Sequence, residues 1–162
     1  MSTHRQCTIE LENKCSGYTL CNPCDYINSG SCAIPPPPTL SPSESGSFLF
    51  IKTPNTACGS VGVLTYDLHD EASHRSDGKL AIMFSNPYDF NLYSNWFAVG
   101  IFDMDTKCDY SLFDEMYNKP QTKFVRGQAK DLSLIYKGET VTVRATMSDN
   151  DTPVMKVQVC ID

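Results

Sequence analysis

Apolar and polar positions alternate in three stretches of the chain and run together in four others. Over residues 5–12, Cys7, Ile9 and Leu11 fall on one side and polar residues on the other, the period of a half-buried strand. Thr140–Met147 and Val154–Ile161 repeat that alternation, and Asp149–Pro153 between them reads as a hairpin turn. Continuous apolar runs at Phe48–Ile51, Val61–Tyr66, Leu80–Phe84 and Phe97–Phe102 are separated by turn residues, the layout of a sandwich. Gly17–Cys21 reads as a second short strand followed by a turn at Asn22-Pro23-Cys24, and residues 67–78 read as a polar loop carrying His69 and His74. Lys123–Gly127 and Leu132–Tyr136 are weaker segments, the latter followed by the turn Lys137-Gly138-Glu139. The expected fold class is mainly β: a β-sandwich with one or two short flanking helices, in a single domain spanning 1–162.

The helical period occurs at Cys108–Asn118. Asp109 or Ser111 is placed to cap it, and Pro120 ends it. Tyr110, Phe113 and Tyr117 fall at i, i+3 and i+7 and share a face. Packing on the sandwich accounts for part of that stripe, and the two tyrosine hydroxyls suit a surface. Residues 35–46 hold the low-complexity segment, opening with Pro35-Pro36-Pro37-Pro38. A stiff connector is the commoner use of such a run, and docking on an SH3-type or WW-type partner is the alternative.

Between two of the apolar runs lies Ser85-Asn86-Pro87-Tyr88-Asp89-Phe90-Asn91-Leu92-Tyr93-Ser94-Asn95-Trp96, which holds the only Trp and three other aromatics. Its Asn, Asp, Ser and Pro residues predict an exposed turn. Exposed rings with polar tips suit a protein surface, a lipid–water interface, or a cage around a quaternary ammonium.

Composition narrows these options. The 162 residues carry 13 Lys+Arg against 19 Asp+Glu, a net charge of −6, which fits neither nucleic acid nor a strongly anionic membrane. Any membrane partner is expected to be largely zwitterionic. No apolar run approaches the roughly 20 residues of a spanning helix, and Met1–Gln6 lacks the apolar core of a secretory signal. The expectation is a soluble protein, cytoplasmic by default, with peripheral membrane association and with non-classical export compatible. Five of eight cysteines (Cys7, Cys15, Cys21, Cys24, Cys32) lie in the first 32 residues, with Cys58, Cys108 and Cys160 beyond. An even count suits disulfides, Cys7 with Cys160 being one pairing, whereas the absent signal favours reduced thiols. The Cys21-x-x-Cys24 couple with Cys15 and Cys32 invites zinc, although structural zinc sites pair two close couples. Asp149, Asn150 and Asp151 lack the spacing and glycine of a calcium loop. No phosphate-cradling glycine loop, nucleophile elbow or His-Glu-x-x-His is present, so neither an enzyme nor a cofactor is expected.

Gly62-Val63-Leu64-Thr65-Tyr66, Lys79-Leu80-Ala81-Ile82-Met83-Phe84, Pro87-Tyr88-Asp89-Phe90-Asn91, Tyr93-Ser94-Asn95-Trp96 and Phe113-Asp114-Glu115-Met116-Tyr117 occur in an order that resembles the actinoporins, pore-forming cytolysins of sea anemones. The resemblance covers about residues 59–118. It implies recognition of phosphocholine headgroups, as in sphingomyelin or phosphatidylcholine, by Ser29, Val61, Ser85, Pro87, Tyr93 and Tyr117. It also implies membrane contact by Tyr88, Phe90, Leu92, Trp96 and Phe113, and self-association on membranes. Departures from the family pattern are Leu92 where an exposed Trp is usual, Phe113 and Asn118 in place of tyrosines, and Arg126-Gly127-Gln128 in place of Arg-Gly-Asp. The family's pore-lining amphipathic helix is not found ahead of the first strand, so pore formation is not expected. A lectin-like glycan-binding module of the same architecture and a protein-interaction module are the rival readings.

Overall fold

The alternating segments share one sheet with the continuous run Phe48–Ile51, and the other three continuous runs form the centre of a second. β1 (Gln6–Asn13), β11 (Val141–Met147) and β12 (Val154–Ile161) alternate, and they form a six-stranded sheet with β3 (Ser31–Ile34), β5 (Ser45–Ile51) and β10 (Leu134–Lys137). Its order is β10-β11-β12-β1-β5-β3, with β1 and β12 parallel. The runs Val61–Tyr66, Leu80–Phe84 and Phe97–Phe102 lie in β6 (Ser60–Asp70), β7 (Arg75–Asn86) and β8 (Trp96–Phe102), at the centre of a second sheet. With β2 (Tyr18–Ser29), β4 (Thr39–Leu40) and β9 (Phe124–Gln128), its order is β4-β2-β6-β7-β8-β9. The structure, a computed structural model, describes residues 5–54, 56–89, 94–130 and 133–161.

The two patterns follow from what covers each sheet. The first sheet buries one face, through Ile9, Leu11, Phe48, Phe50, Val157 and Val159, so every second residue is free to be polar. The second sheet is covered on both faces, and its central strands must therefore be apolar throughout. Leu64, Tyr66, Ile82, Phe84, Phe97 and Val99 pack between the sheets. Val63, Ala81, Met83, Ala98 and Phe124 pack beneath Leu112, Phe113 and Met116 of the helix α1 (Tyr110–Asn118). Phe50 and Phe84 join the sheets, their ring centroids 4.6 Å apart.

Asp109 caps α1, its carboxylate accepting from the Leu112 amide at 3.2 Å. Asp109→Ala should lower stability by about 1 kcal/mol, and an unchanged urea midpoint would reject the cap. The proline segment is fastened to the sandwich. The Pro37 carbonyl accepts from the buried Tyr66 hydroxyl at 2.6 Å, and burial pushes that phenol's pKa up. A Cβ at Gly46 would sit 2.6 Å from Pro37 Cγ. This matches the connector reading, although Pro35 and Pro38 remain exposed.

Three expectations are corrected. Asn22-Pro23-Cys24 is not a turn: β2 runs through it with a bulge between Cys21 and Cys24, and Asn22 takes φ 51°, a conformation Asn tolerates. Residues 67–78 are not a loop, because β6 continues to Asp70 and β7 begins at Arg75. A turn at 71–74 joins them, with His74 at φ 58°. Polar residues at the end of a hairpin alternate with Leu68, so their polarity marks a solvated face rather than a loop. Cys7 and Cys160 do not meet. Parallel pairing places Thr8 opposite Val154 and Asn13 opposite Val159, which puts the two thiols at opposite ends of the pair, about 20 Å apart at the strand rise. Among the described residues no group of three or more His, Cys, Asp and Glu is placed to hold a metal ion.

Candidate functional site

Strand register brings four of the expected site positions into one line. Ser29 lies opposite Val61, Val61 opposite Ser85, and Ser85 opposite Trp96, with Gln128 next. Residues paired across strands share a face, and strands stand about 4.8 Å apart, so the line from Ser29 to Trp96 spans about 14 Å. The face is the one carrying α1, because Val63, Ala81, Met83 and Ala98 of the same parity pack under it. The row lies at the edge of that helix-covered core. Ser85 is buried, while Ser29, Val61 and Trp96 are half-buried. The bulge between Ile27 and Ser29 restores Ser29 to this row, since Ile27 pairs with Gly62 and packs between the sheets.

The helix contributes a stack of rings beside the row. Phe113 and Tyr117 lie 5.5 Å apart at 12°, and Phe113 also meets Tyr110 and Tyr26 at 6.4 Å. Tyr26 meets Tyr110 edge-on at 6.2 Å. Phe113 is only 5% exposed. Phe113, expected among the membrane-contact rings, is covered by the sheet and its neighbours and stacks on Tyr117. Tyr117 is half-buried and packs against the same apolar cluster as Val61. Tyr110 is 55% exposed. Arg126 donates to the Met116 and Lys119 carbonyls, both at 2.9 Å, satisfying the C-terminal end of the helix.

Pro87 and Tyr88 continue from the end of β7 into a cationic setting. Arg5 donates from Nε to the Pro87 carbonyl at 3.1 Å and meets Asp151 at 3.6 Å. Its guanidinium lies 5.8 Å from the Tyr88 ring centroid, and Lys52 Nζ lies 5.5 Å from it. Lys52 is 7% exposed and donates to the Thr53 carbonyl. Tyr88 is therefore already engaged by two cations. Behind it, the buried Asn95 accepts from Asn86 at 3.0 Å and donates to the Asn150 carbonyl at 2.6 Å, tying the ends of β7 and β8 to the β11–β12 turn.

Phe90, Leu92 and Tyr93 lie outside the described residues. Sequence reasoning missed three participants: Tyr26, whose signal was its position three residues before Ser29, and Arg5 and Lys52, which no local pattern marks. Three clefts lie away from the row: over Glu12, Ser47 and Lys156, between Asp77, Phe102 and Tyr136, and beside α1 at Tyr110 and Lys119. The described part of the row presents neutral hydroxyls and ring faces.

Two solved structures share the fold. The lipid-binding protein Nakanori superposes with a TM-score of 0.74 at 11% identity, covering 96% of this chain and 70% of its own. The Xerocomus chrysenteron lectin XCL superposes at 0.59 and 11% identity, covering 98% and 99%. DELTA-alicitoxin-Pse1b of Phyllodiscus semoni is 37% identical over 112 residues, which is 65% of this chain and 47% of the toxin. The chain spans about half the length of the curated relatives it matches. With residues 2–160 matching the family model of the sea anemone cytotoxic protein, the chain belongs to that family, the actinoporins.

Proposed function

We propose that this chain binds membranes by recognising phosphocholine lipid headgroups at the end of its helix-covered sheet. The carrying observation is the in-register row Ser29–Val61–Ser85–Trp96 lying against the Tyr117 stack. A phosphocholine group needs a ring face for its trimethylammonium and neutral donors for its phosphate. Tyr117, with Tyr93, supplies the first, and the Ser29 and Ser85 hydroxyls supply the second. Val61 and Pro87 give the apolar floor, and Trp96 is the interfacial ring. Tyr88 is unsuited to stacking on choline, because Arg5 and Lys52 would repel a third cation there. Lys52 instead offers a counter-charge to the phosphate, since among the described residues no carboxylate pairs with it.

A net charge of −6 favours zwitterionic over anionic lipid. Among the described residues no helix is long and apolar enough to cross a membrane. Co-sedimentation with phosphatidylcholine vesicles, with and without sphingomyelin, tests the reading, with dye release recorded from the same samples. Binding is expected, and release would add the pore-forming activity. No binding to either lipid would overturn the proposal and make a glycan array the next measurement. Lys52→Met, which preserves the stem volume, should weaken binding about threefold, near the low end of net hydrogen-bond contributions. Unchanged affinity would remove Lys52 from the site.

A further inference from the structure

Two cysteines meet across the face that carries α1. Cys24 lies opposite Thr65 in the β2–β6 ladder, on the side of the sheet that faces the helix. Cys108 precedes the cap residue Asp109 and drops its sulfur onto the same place. Its Sγ lies 3.2 Å from the Cys24 carbonyl and 3.9 Å from that of Val63. Both cysteines are free, and Cys24 is exposed to solvent. Among the other thiols, Cys7 and Cys15 are buried between the sheets, and Cys21, opposite Asp67 on the same face, is separated from Cys24 by the bulge.

We propose that Cys24 and Cys108 form an oxidation site, a disulfide that bolts the N-terminus of α1 to β2. Low-molecular-weight disulfides such as oxidised glutathione are the class of oxidant it takes. The Cys24 thiolate attacks one sulfur of the oxidant, forming a mixed disulfide and releasing one thiol. The Cys108 sulfur then loses its proton to solvent and attacks the Cys24 sulfur, displacing the second thiol. Two protein thiols and one small disulfide become one protein disulfide and two small thiols. Burial, then the neighbouring Cys24 charge, pushes the Cys108 thiol up to about 12. The first attack therefore falls to the exposed partner.

The bond would hold the ring stack of Tyr26, Tyr110, Phe113 and Tyr117 at its helix end without altering the row on the sheet. It closes a loop of more than 80 residues, so the oxidised protein should melt about 10 °C higher.

The test is incubation of the reduced full chain with oxidised glutathione, followed by non-reducing peptide mapping and thermal melting. The expected result is a protein lighter by two hydrogens, with a Cys24–Cys108 cross-linked peptide and a raised melting temperature that dithiothreitol reverses. Cys108→Ser should instead retain glutathione on Cys24 and show no rise. A stable glutathione adduct on Cys24 of the unaltered chain would overturn the proposal. So would a Cys21–Cys24 bond, or no reaction at either thiol. No variant has to fold for the main comparison, because both arms use the natural chain.

Discussion

Tyr117→Ala should lower affinity for phosphatidylcholine–sphingomyelin vesicles about tenfold, while Tyr117→Phe should lower it only about threefold. The difference separates the ring from its hydroxyl. A ring face over a partly desolvated cation is worth about 1–2 kcal/mol, and a tenfold change corresponds to about 1.4 kcal/mol. Phenylalanine keeps that face and the 5.5 Å stack on Phe113, and loses only one donor to the phosphate. Alanine also removes an aromatic pair worth about 1 kcal/mol to the fold. Melting of Tyr117→Ala should therefore fall by about 2–4 °C, too little to unfold the protein at the temperature of a binding assay. Normal vesicle binding with a lowered melting temperature would make Tyr117 a structural support and sink its role in the site.

The pattern of the sequence reaches the architecture because burial dictates period. β1, β11 and β12 alternate since one face meets water, and β6, β7 and β8 do not since α1 covers their second face. The cap was legible as Asp109 or Ser111 because its chemistry is local, and the structure chooses Asp109. What was not legible is non-local. Nothing in β1 or β12 announces that they pair in parallel, so the position of Cys160 relative to Cys7 could not be read from either strand. The contact between Cys24 and Cys108 likewise depends on a bulge in one strand and on where a helix lands 84 residues later.

The site was legible in part for a related reason. The resemblance to a family supplied Ser29, Val61, Ser85 and Pro87 as separate positions, and register turned three of them, with Trp96, into one row. Helical spacing grouped Tyr110, Phe113 and Tyr117 on a face but did not rank them by depth. A face wide enough to hold all three has a centre and two rims, and Phe113 at 5% and Tyr110 at 55% exposure occupy one of each. Arg5 and Lys52 reach the site from the ends of β1 and β5 in the other sheet, and that proximity is a property of the assembled sandwich alone.

Gly59→Ala should destabilise the protein by about 3 kcal/mol and weaken vesicle binding with it. Gly59 is buried where β6 begins, beside the last residues of β7. An added Cβ would stand 2.2 Å from the Asn86 carbonyl oxygen, 2.9 Å from Pro87 Cα and 2.9 Å from the Tyr88 nitrogen. All three are backbone atoms, so no rotamer change relieves the overlap, and either β6 or the end of β7 must move. Melting should fall by about 6–12 °C. The displacement falls on Pro87 and Tyr88, so binding measured well below the new melting temperature should still be reduced. Gly17→Ala is the control: nothing lies within 4 Å of its added Cβ, and its effect should stay within about 0.5 kcal/mol. If Gly59→Ala melted with the unaltered protein, the close approach of the two strand ends would be wrong. If it melted early but bound vesicles normally below that temperature, Pro87 would lose its place in the headgroup site, because its position would have changed without consequence.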